Sequence, residues 1–253
     1  MISDEKRLLD EKYSGIATNE YAADKERLAE GEPLAYVIGN QPFLGLTVFL
    51  DSRPLIPRPE TEWWTEQLLA KITSIYGSDF GSTFLDLCAG SGAIGCAALA
   101  RLPDARVYFG EVDPAHEATI QKNIRENHLD ASRASVGIGD LFQPFGDMTF
   151  DVIASNPPYV PADRTLPASV AEYEPPRALF AGDDGLEYIR RIAAELPRRL
   201  APGGIAWIEC DCGHAEPARA LFAAQGLRAE VMNDQYGKPR VIVCKHTRAC
   251  SAQ

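Results

Sequence analysis

Phe84-Leu85-Asp86-Leu87-Cys88-Ala89-Gly90-Ser91-Gly92-Ala93-Ile94-Gly95 is an apolar run that gives way to glycines and then to small residues. Its first half reads as a buried strand, Thr83–Cys88, and the residues from Gly92 to Leu102 as the helix that follows. Gly90, Gly92 and Gly95 fit G-x-G-x-x-G at a strand-to-helix junction, the context in which that spacing has a mechanism. Lacking β-carbons, such a turn lets the backbone approach a ligand closely. In an open α/β sheet, ligands sit at the carboxyl ends of the strands, near the point where strand order reverses.

Outward from this unit the alternation continues. Arg106–Gly110 reads as a strand, Pro114–Asn127 as a helix, and Arg133–Ile138 and Phe150–Ser155 as strands before a loop to about residue 183. Gly185–Leu200 reads as a helix, Gly204–Cys210 as a strand, His214–Ala224 as a helix, and Leu227–Met232 and Pro239–Cys244 as closing strands. The pattern predicts an α/β, Rossmann-like domain over 61–246, with a mainly parallel seven-stranded sheet and helices on both faces. Upstream, residues 1–33 read as a short helical segment carrying Leu8, Leu9, Tyr13, Tyr21 and Leu28, too short to bury a core alone. Residues 34–60 read as a β-hairpin and linker, with extended runs at Leu34–Ile38, Phe43–Leu50 and Leu55–Ile56, followed by a helix over about 61–76. His246 begins a polar tail, with 247–253 outside the main domain.

A formal net charge of −11 over 253 residues argues against broad electrostatic binding of nucleic acid. No stretch approaches the ~18 apolar residues of a membrane span, and the charged start Met1-Ile2-Ser3-Asp4-Glu5-Lys6 is unlike a secretory signal. Cys88, Cys96, Cys210, Cys212, Cys244 and Cys250 show no scaffold spacing, so a reducing, cytoplasmic setting is expected. Cys210, Cys212 and His214 lack a fourth metal ligand, and no metal site is expected.

Three acids stand at or near successive strand ends. Glu111, nineteen residues past Gly92, suits ribose hydroxyls. Asp86 is awkward beside a pyrophosphate but favourable beside a sulfonium, and Asp140 suits an adenine amino group. The glycines alone also admit a nicotinamide dinucleotide; the acids favour S-adenosylmethionine. After the strand ending at Ser155 comes Asn156-Pro157-Pro158-Tyr159. Two prolines fix the backbone in extended geometry, so an Asn side-chain oxygen and a neighbouring backbone carbonyl are held where both accept from one –NH2 group. Tyr159 supplies an aromatic wall. Taken alone, the segment also reads as a proline-rich turn.

Together, the glycine loop, Glu111, Asp140 and Asn156–Tyr159 resemble a class I methyltransferase acting on a planar –NH2. Leu55-Ile56-Pro57-Arg58-Pro59-Glu60-Thr61-Glu62, with Gly31–Gly39 and Glu174-Pro175-Pro176-Arg177-Ala178-Leu179-Phe180, is similar to the peptide chain release factor glutamine methyltransferases over about residues 30–245. That resemblance implies methylation of the side-chain nitrogen of the glutamine in a Gly-Gly-Gln motif. It implies that Cys88, Ala89, Gly90, Ser91, Gly92, Glu111, Asp140, Leu141 and Asn156 line the cofactor, and Asn156, Pro157, Pro158 and Tyr159 the substrate, with Asn156, Pro157 and Tyr159 catalytic. Arg58 is placed near the substrate by resemblance alone. The family's N-terminal helical domain is larger than the counterpart in this sequence, which implies altered docking. Cys210-Asp211-Cys212-Gly213-His214 also stands where the family tends to carry a Glu and a Gly. Three alternatives remain: an adenine-amino methyltransferase on DNA or RNA, a ribosomal-protein glutamine methyltransferase, and a non-catalytic module that keeps the fold.

Overall fold

The computed structural model describes residues 3–76 and 82–247. Helices α1 (Asp4–Tyr13) and α2 (Asn19–Ala29) open the chain, each started by a hydroxyl cap, Ser3 on Lys6 N–H and Thr18 on Tyr21 N–H. Leu8 is their fully buried apolar residue, and polar contacts do much of the joining. Asp24 accepts from Lys12 at 2.6 Å, Tyr13 at 2.7 Å and Arg27 at 2.7 Å. Glu32 accepts from Arg27 and from Arg53, the latter at 2.7 Å. Leu34–Ile38 is a short helix, α3, and not the extended run expected; Pro33 leads into it and Gly39 closes it in the left-handed region at φ 97°. Five apolar residues carry too little periodicity to separate the two forms. The hairpin therefore lies further along, as β1 (Asn40–Phe43) and β2 (Leu46–Phe49). Its two-residue turn is Leu44-Gly45, with φ of 49° and 84°, both positive as such hairpin loops require. Leu55–Ile56 forms no strand.

The chain continues with α4 (Pro59–Tyr76), β3 (Thr83–Leu87), α5 (Ala93–Arg101), β4 (Arg106–Glu111), α6 (Ala115–Glu126), β5 (Ala134–Ile138) and β6 (Phe150–Ser155). After a long connection holding the short helix α7 (Ala168–Ala171) come α8 (Glu187–Arg199), β7 (Leu200–Glu209), α9 (Ala215–Ala224), β8 (Leu227–Asn233) and β9 (Pro239–His246). Strands pair in the order β5-β4-β3-β6-β7-β9-β8. The first five are parallel, and β9 runs antiparallel to both β7 and β8. His246 belongs to β9 and bonds the Leu200 carbonyl at 2.9 Å, so it is not tail. The remainder of the expected tail, 248–253, lies outside the described residues.

The central strands are buried on both faces, and their alternation sorts residues into two cores. Phe84, Phe109, Val152 and Trp207 face α4, α5 and α6 with Trp64, Ile94 and Ile120. Leu85, Leu87, Ile153 and Ile208 face α8 and α9 with Ile189, Leu196 and Phe222. The hairpin belongs to the first core through Phe43 and Val48. Its outer edge is met by side-chain amides at the end of α6: Asn127, which caps the helix, accepts from Thr47 N–H and donates to its carbonyl, both at 2.9 Å, and Asn123 accepts from Phe49 N–H and donates to its carbonyl. Two asparagines thus satisfy backbone groups that a third strand would otherwise pair.

Candidate active site

The order reverses at β3, which has β4 on one side and β6 on the other. Over the carboxyl ends of these strands lies a cavity of about 290 Å³. Its floor is the glycine loop. Cys88, Gly90 and Gly92 have φ of 61°, 54° and 78°, so the turn is left-handed at three points within five residues. A Cβ on Gly90 would meet only Pro54 at 3.8 Å, whereas one on Gly95 would stand 2.2 Å from the Phe109 ring. The first glycine therefore opens the loop, and the last lets α5 pack on the sheet. Asn123 ties the loop to the hairpin by donating to the Ser91 carbonyl at 2.8 Å.

Glu111 ends β4 and lines the cavity. One carboxylate oxygen accepts Gly90 N–H at 2.7 Å and the other Asp113 N–H at 2.8 Å. These bonds fix the carboxylate while leaving each oxygen a further lone pair. Asp140 and Leu141 line the next part of the wall, and Asp140 pairs with Arg191 of α8. His116 also lines it, held by Ser52 Oγ at 2.8 Å from Nδ1; the sequence reading did not single it out.

Asp86 takes a different place from the one expected. It is fully buried beneath the loop, outside the cavity lining, and its Oδ2 accepts Gly95 N–H at 2.8 Å. Burial pushes its carboxyl up to about 8, Gly95 N–H opposes that, and the Glu111 charge adds to it. Among the described residues its Oδ1 has no partner. Strand alternation explains the placement, since Asp86 shares a face with Phe84, toward α5. Ala89, Ser91 and Gly92 shape the loop without lining the cavity, whereas Cys88 and Gly90 line it.

The far wall is the segment after β6. Asn156 and Pro158 line the cavity, and Pro157 is buried behind them. Asn156 Nδ2 donates to Thr61 Oγ1 at 3.1 Å. Tyr159 donates its hydroxyl to Glu209 Oε1 at 3.0 Å, and burial, then the Glu209 charge, hold the phenol protonated well above its ordinary range. Glu209 is the buried acid behind this wall that sequence reasoning did not single out. The strand expected at Gly204–Cys210 is longer and ends on this acid, which is 1% exposed. Burial raises its carboxyl, while Trp64, Thr61 and Tyr159, all donating to it, pull the other way.

Arg58 is outside the cavity lining. Its guanidinium bonds Glu174 at 2.5 Å, and the other Glu174 oxygen accepts Ile56 N–H at 3.2 Å. This staples the Leu55–Pro59 segment to the Glu174–Ala178 segment; Leu55 of the first and Pro175, Arg177 and Ala178 of the second line the cavity mouth. Cys210 points into the core and Cys212 is exposed, so the Cys-x-Cys-x-His stretch diverges. Among the described residues, no three His, Cys, Asp or Glu side chains gather as metal ligands, and no helix is long and apolar enough to cross a membrane.

Residues 65–172 match the family described as methyltransferase small domain. A release factor glutamine methyltransferase of Geobacter sulfurreducens is 40% identical over 202 residues, 79% of this chain and 68% of that protein. One of Thermodesulfovibrio yellowstonii is 33% identical over 227 residues, 88% of this chain and 80% of that protein. Among solved structures, a methyltransferase from Pyrococcus furiosus shares the fold, with a TM-score of 0.57 at 16% identity, covering 88% of this chain and 98% of that one.

Proposed function

The chain belongs to the release factor glutamine methyltransferase family, and we propose that it transfers a methyl group from S-adenosylmethionine to the side-chain amide nitrogen of the glutamine in the Gly-Gly-Gln motif of peptide chain release factors. The observation that carries this reading is a single cavity walled by Glu111 and Gly90 on one side and by Asn156 and Pro158 on the other. A cofactor of that size suits a cleft of this order. Glu111, with lone pairs free after its two backbone bonds, would hold the ribose hydroxyls. Cys88–Gly92, Asp140 and Leu141 would enclose the remainder, and Asp86 would brace the loop from below. When bound, S-adenosylmethionine supplies an electrophilic methyl group on a sulfonium.

The protein's own contribution is alignment. An amide nitrogen is a weak nucleophile because its lone pair is delocalised into the carbonyl. Asn156 Oδ1 and the Pro157 carbonyl would each accept one N–H of the glutamine and so orient its nitrogen toward the methyl group that the cofactor supplies. They would also favour positive charge as it develops there, a charge discharged when the nitrogen gives one of its protons to solvent. Tyr159 packs beside the glutamine side chain, and Arg58 acts on the substrate through the segment it staples. Alignment of this kind is worth several kcal/mol, up to ~7–11 in model reactions. The net charge of −11 suits a protein substrate better than nucleic acid, and the free thiols suit the cytoplasm.

The test is mass spectrometry of a release factor after incubation with enzyme and isotope-labelled S-adenosylmethionine. One labelled methyl on the Gly-Gly-Gln glutamine is expected. Asn156→Ala lowers turnover by about 100- to 1000-fold while cofactor binding survives. Labelling of DNA or tRNA at matched salt, with none on the release factor, would overturn the assignment.

A further inference from the structure

An asparagine amide has nearly the same shape either way round, yet its two orientations offer opposite chemistry: an acceptor oxygen or a pair of N–H donors. Only one orientation of Asn156 can grip a substrate –NH2. We propose that Glu209 is a positioning residue which, acting through Thr61, sets the Asn156 amide with its oxygen toward the cavity. This rests on the reading of Asn156 as the acceptor for the substrate amide.

The argument follows the donors. Glu209 is 1% exposed, and both of its carboxyl oxygens accept hydrogen bonds from side chains around it. The Trp64 indole N–H, which can only donate, reaches Oε2 at 2.7 Å. The Thr61 hydroxyl reaches the same oxygen at 2.7 Å, and Tyr159 reaches Oε1 at 3.0 Å. Thr61 has one proton, and that proton goes to Glu209. Toward Asn156 it presents lone pairs alone, so Nδ2 turns to it, at 3.1 Å, and Oδ1 turns away. Among the described residues no hydrogen bond is made to Asn156 Oδ1, which leaves it free for a ligand. The direction of every bond in the chain is thereby set by one buried acid. Thr61 stands in the Leu55–Glu62 segment and Asn156 ninety-five positions later, so the relay also joins the two stretches of sequence that define the site.

Thr61→Val keeps the shape and removes the hydroxyl. Its expected effect is a fall in kcat of about 10- to 100-fold, with S-adenosylhomocysteine affinity and KM for the release factor within about twofold. Thr61→Ser, which restores the hydroxyl, recovers most of the loss. In an Asn156→Ala background, Thr61→Val costs nothing further, because there is no amide to orient. The NMR signals of the Asn156 side-chain amide, identified by their loss in Asn156→Ala, give a readout independent of turnover and of whether Thr61→Val folds. In the wild-type protein one of the two Nδ2 protons exchanges slowly with solvent, and Glu209→Gln removes that protection. Full kcat in folded Thr61→Val, equal losses with and without Asn156, or two rapidly exchanging amide protons in the wild type each overturn the positioning role. Unchanged turnover in Asn156→Ala itself overturns the grip as well, and so marks a failure of the underlying reading.

Discussion

Glu111→Ala tests the cofactor side of the cavity most directly. The carboxylate holds Gly90 N–H at 2.7 Å and Asp113 N–H at 2.8 Å. Removing it loses two charge-assisted bonds that shape the loop, and the proposed bonds to ribose. A hydrogen bond to a charged group contributes about 1.5–3 kcal/mol. Loss of one such bond to ligand therefore weakens S-adenosylhomocysteine binding by roughly 10- to 150-fold. The two backbone bonds predict a parallel loss of stability, so binding is measured by calorimetry at a temperature where urea unfolding shows both proteins fully folded. Glu111→Gln recovers only part of the affinity: its oxygen keeps one backbone N–H, and its –NH2 faces the other donor. Affinity within twofold of wild type in folded Glu111→Ala would remove Glu111 from the binding site.

Two further outcomes follow from buried groups. Asp86 keeps its proton to about pH 8 in the folded protein against an ordinary value of 3.8, so its contribution to stability is full at low pH and is lost as pH rises across that window, by about 1.4 kcal/mol per pH unit. Asp86→Asn has no such proton; urea unfolding at pH 6 and pH 8 should show wild type losing ground to the variant, and parallel pH profiles would refute the assignment. Gly95→Ala places a methyl 2.2 Å from the fully buried Phe109 ring, at an expected cost of about 1–3 kcal/mol. Phe109→Leu in the same chain should return part of it, and an unchanged melting temperature in Gly95→Ala would sink the packing argument.

Much of the fold was legible because periodicity and glycine placement agree. Phe150–Ser155 is a strand over the same residues in sequence reading and structure, bounded by turn residues on one side and prolines on the other. The chain's alternation likewise gives the mainly parallel sheet. Leu34–Ile38 misled because a short apolar run fits a helix or a strand, and only the left-handed Gly39 decides between them. Asp86 was legible in kind but not in direction; its parity with Phe84 was the clue that it points under α5. Glu209 was out of reach. Its importance comes from Thr61, Trp64 and Tyr159, which lie 148, 145 and 50 positions away, and no local pattern brings them together. The Arg58–Glu174 pair is similar, a contact across 116 positions between two segments that sequence reading found separately.

The reversal of strand order at β3 divides the molecule's labour along a seam. Glu111 ends a strand and Asp140 follows one on one flank, while Glu209 ends a strand and Asn156 follows one on the other. On the proposed reading, donor and acceptor of the methyl group are therefore held by different halves of the sheet, and the transferred carbon crosses the boundary between them. On that reading, exchanging residues after β6 and β7 would alter the amide wall while leaving the Glu111 and Asp140 side in place. A chimera exchanging residues 156–183 would treat that seam as a joint between two interchangeable parts.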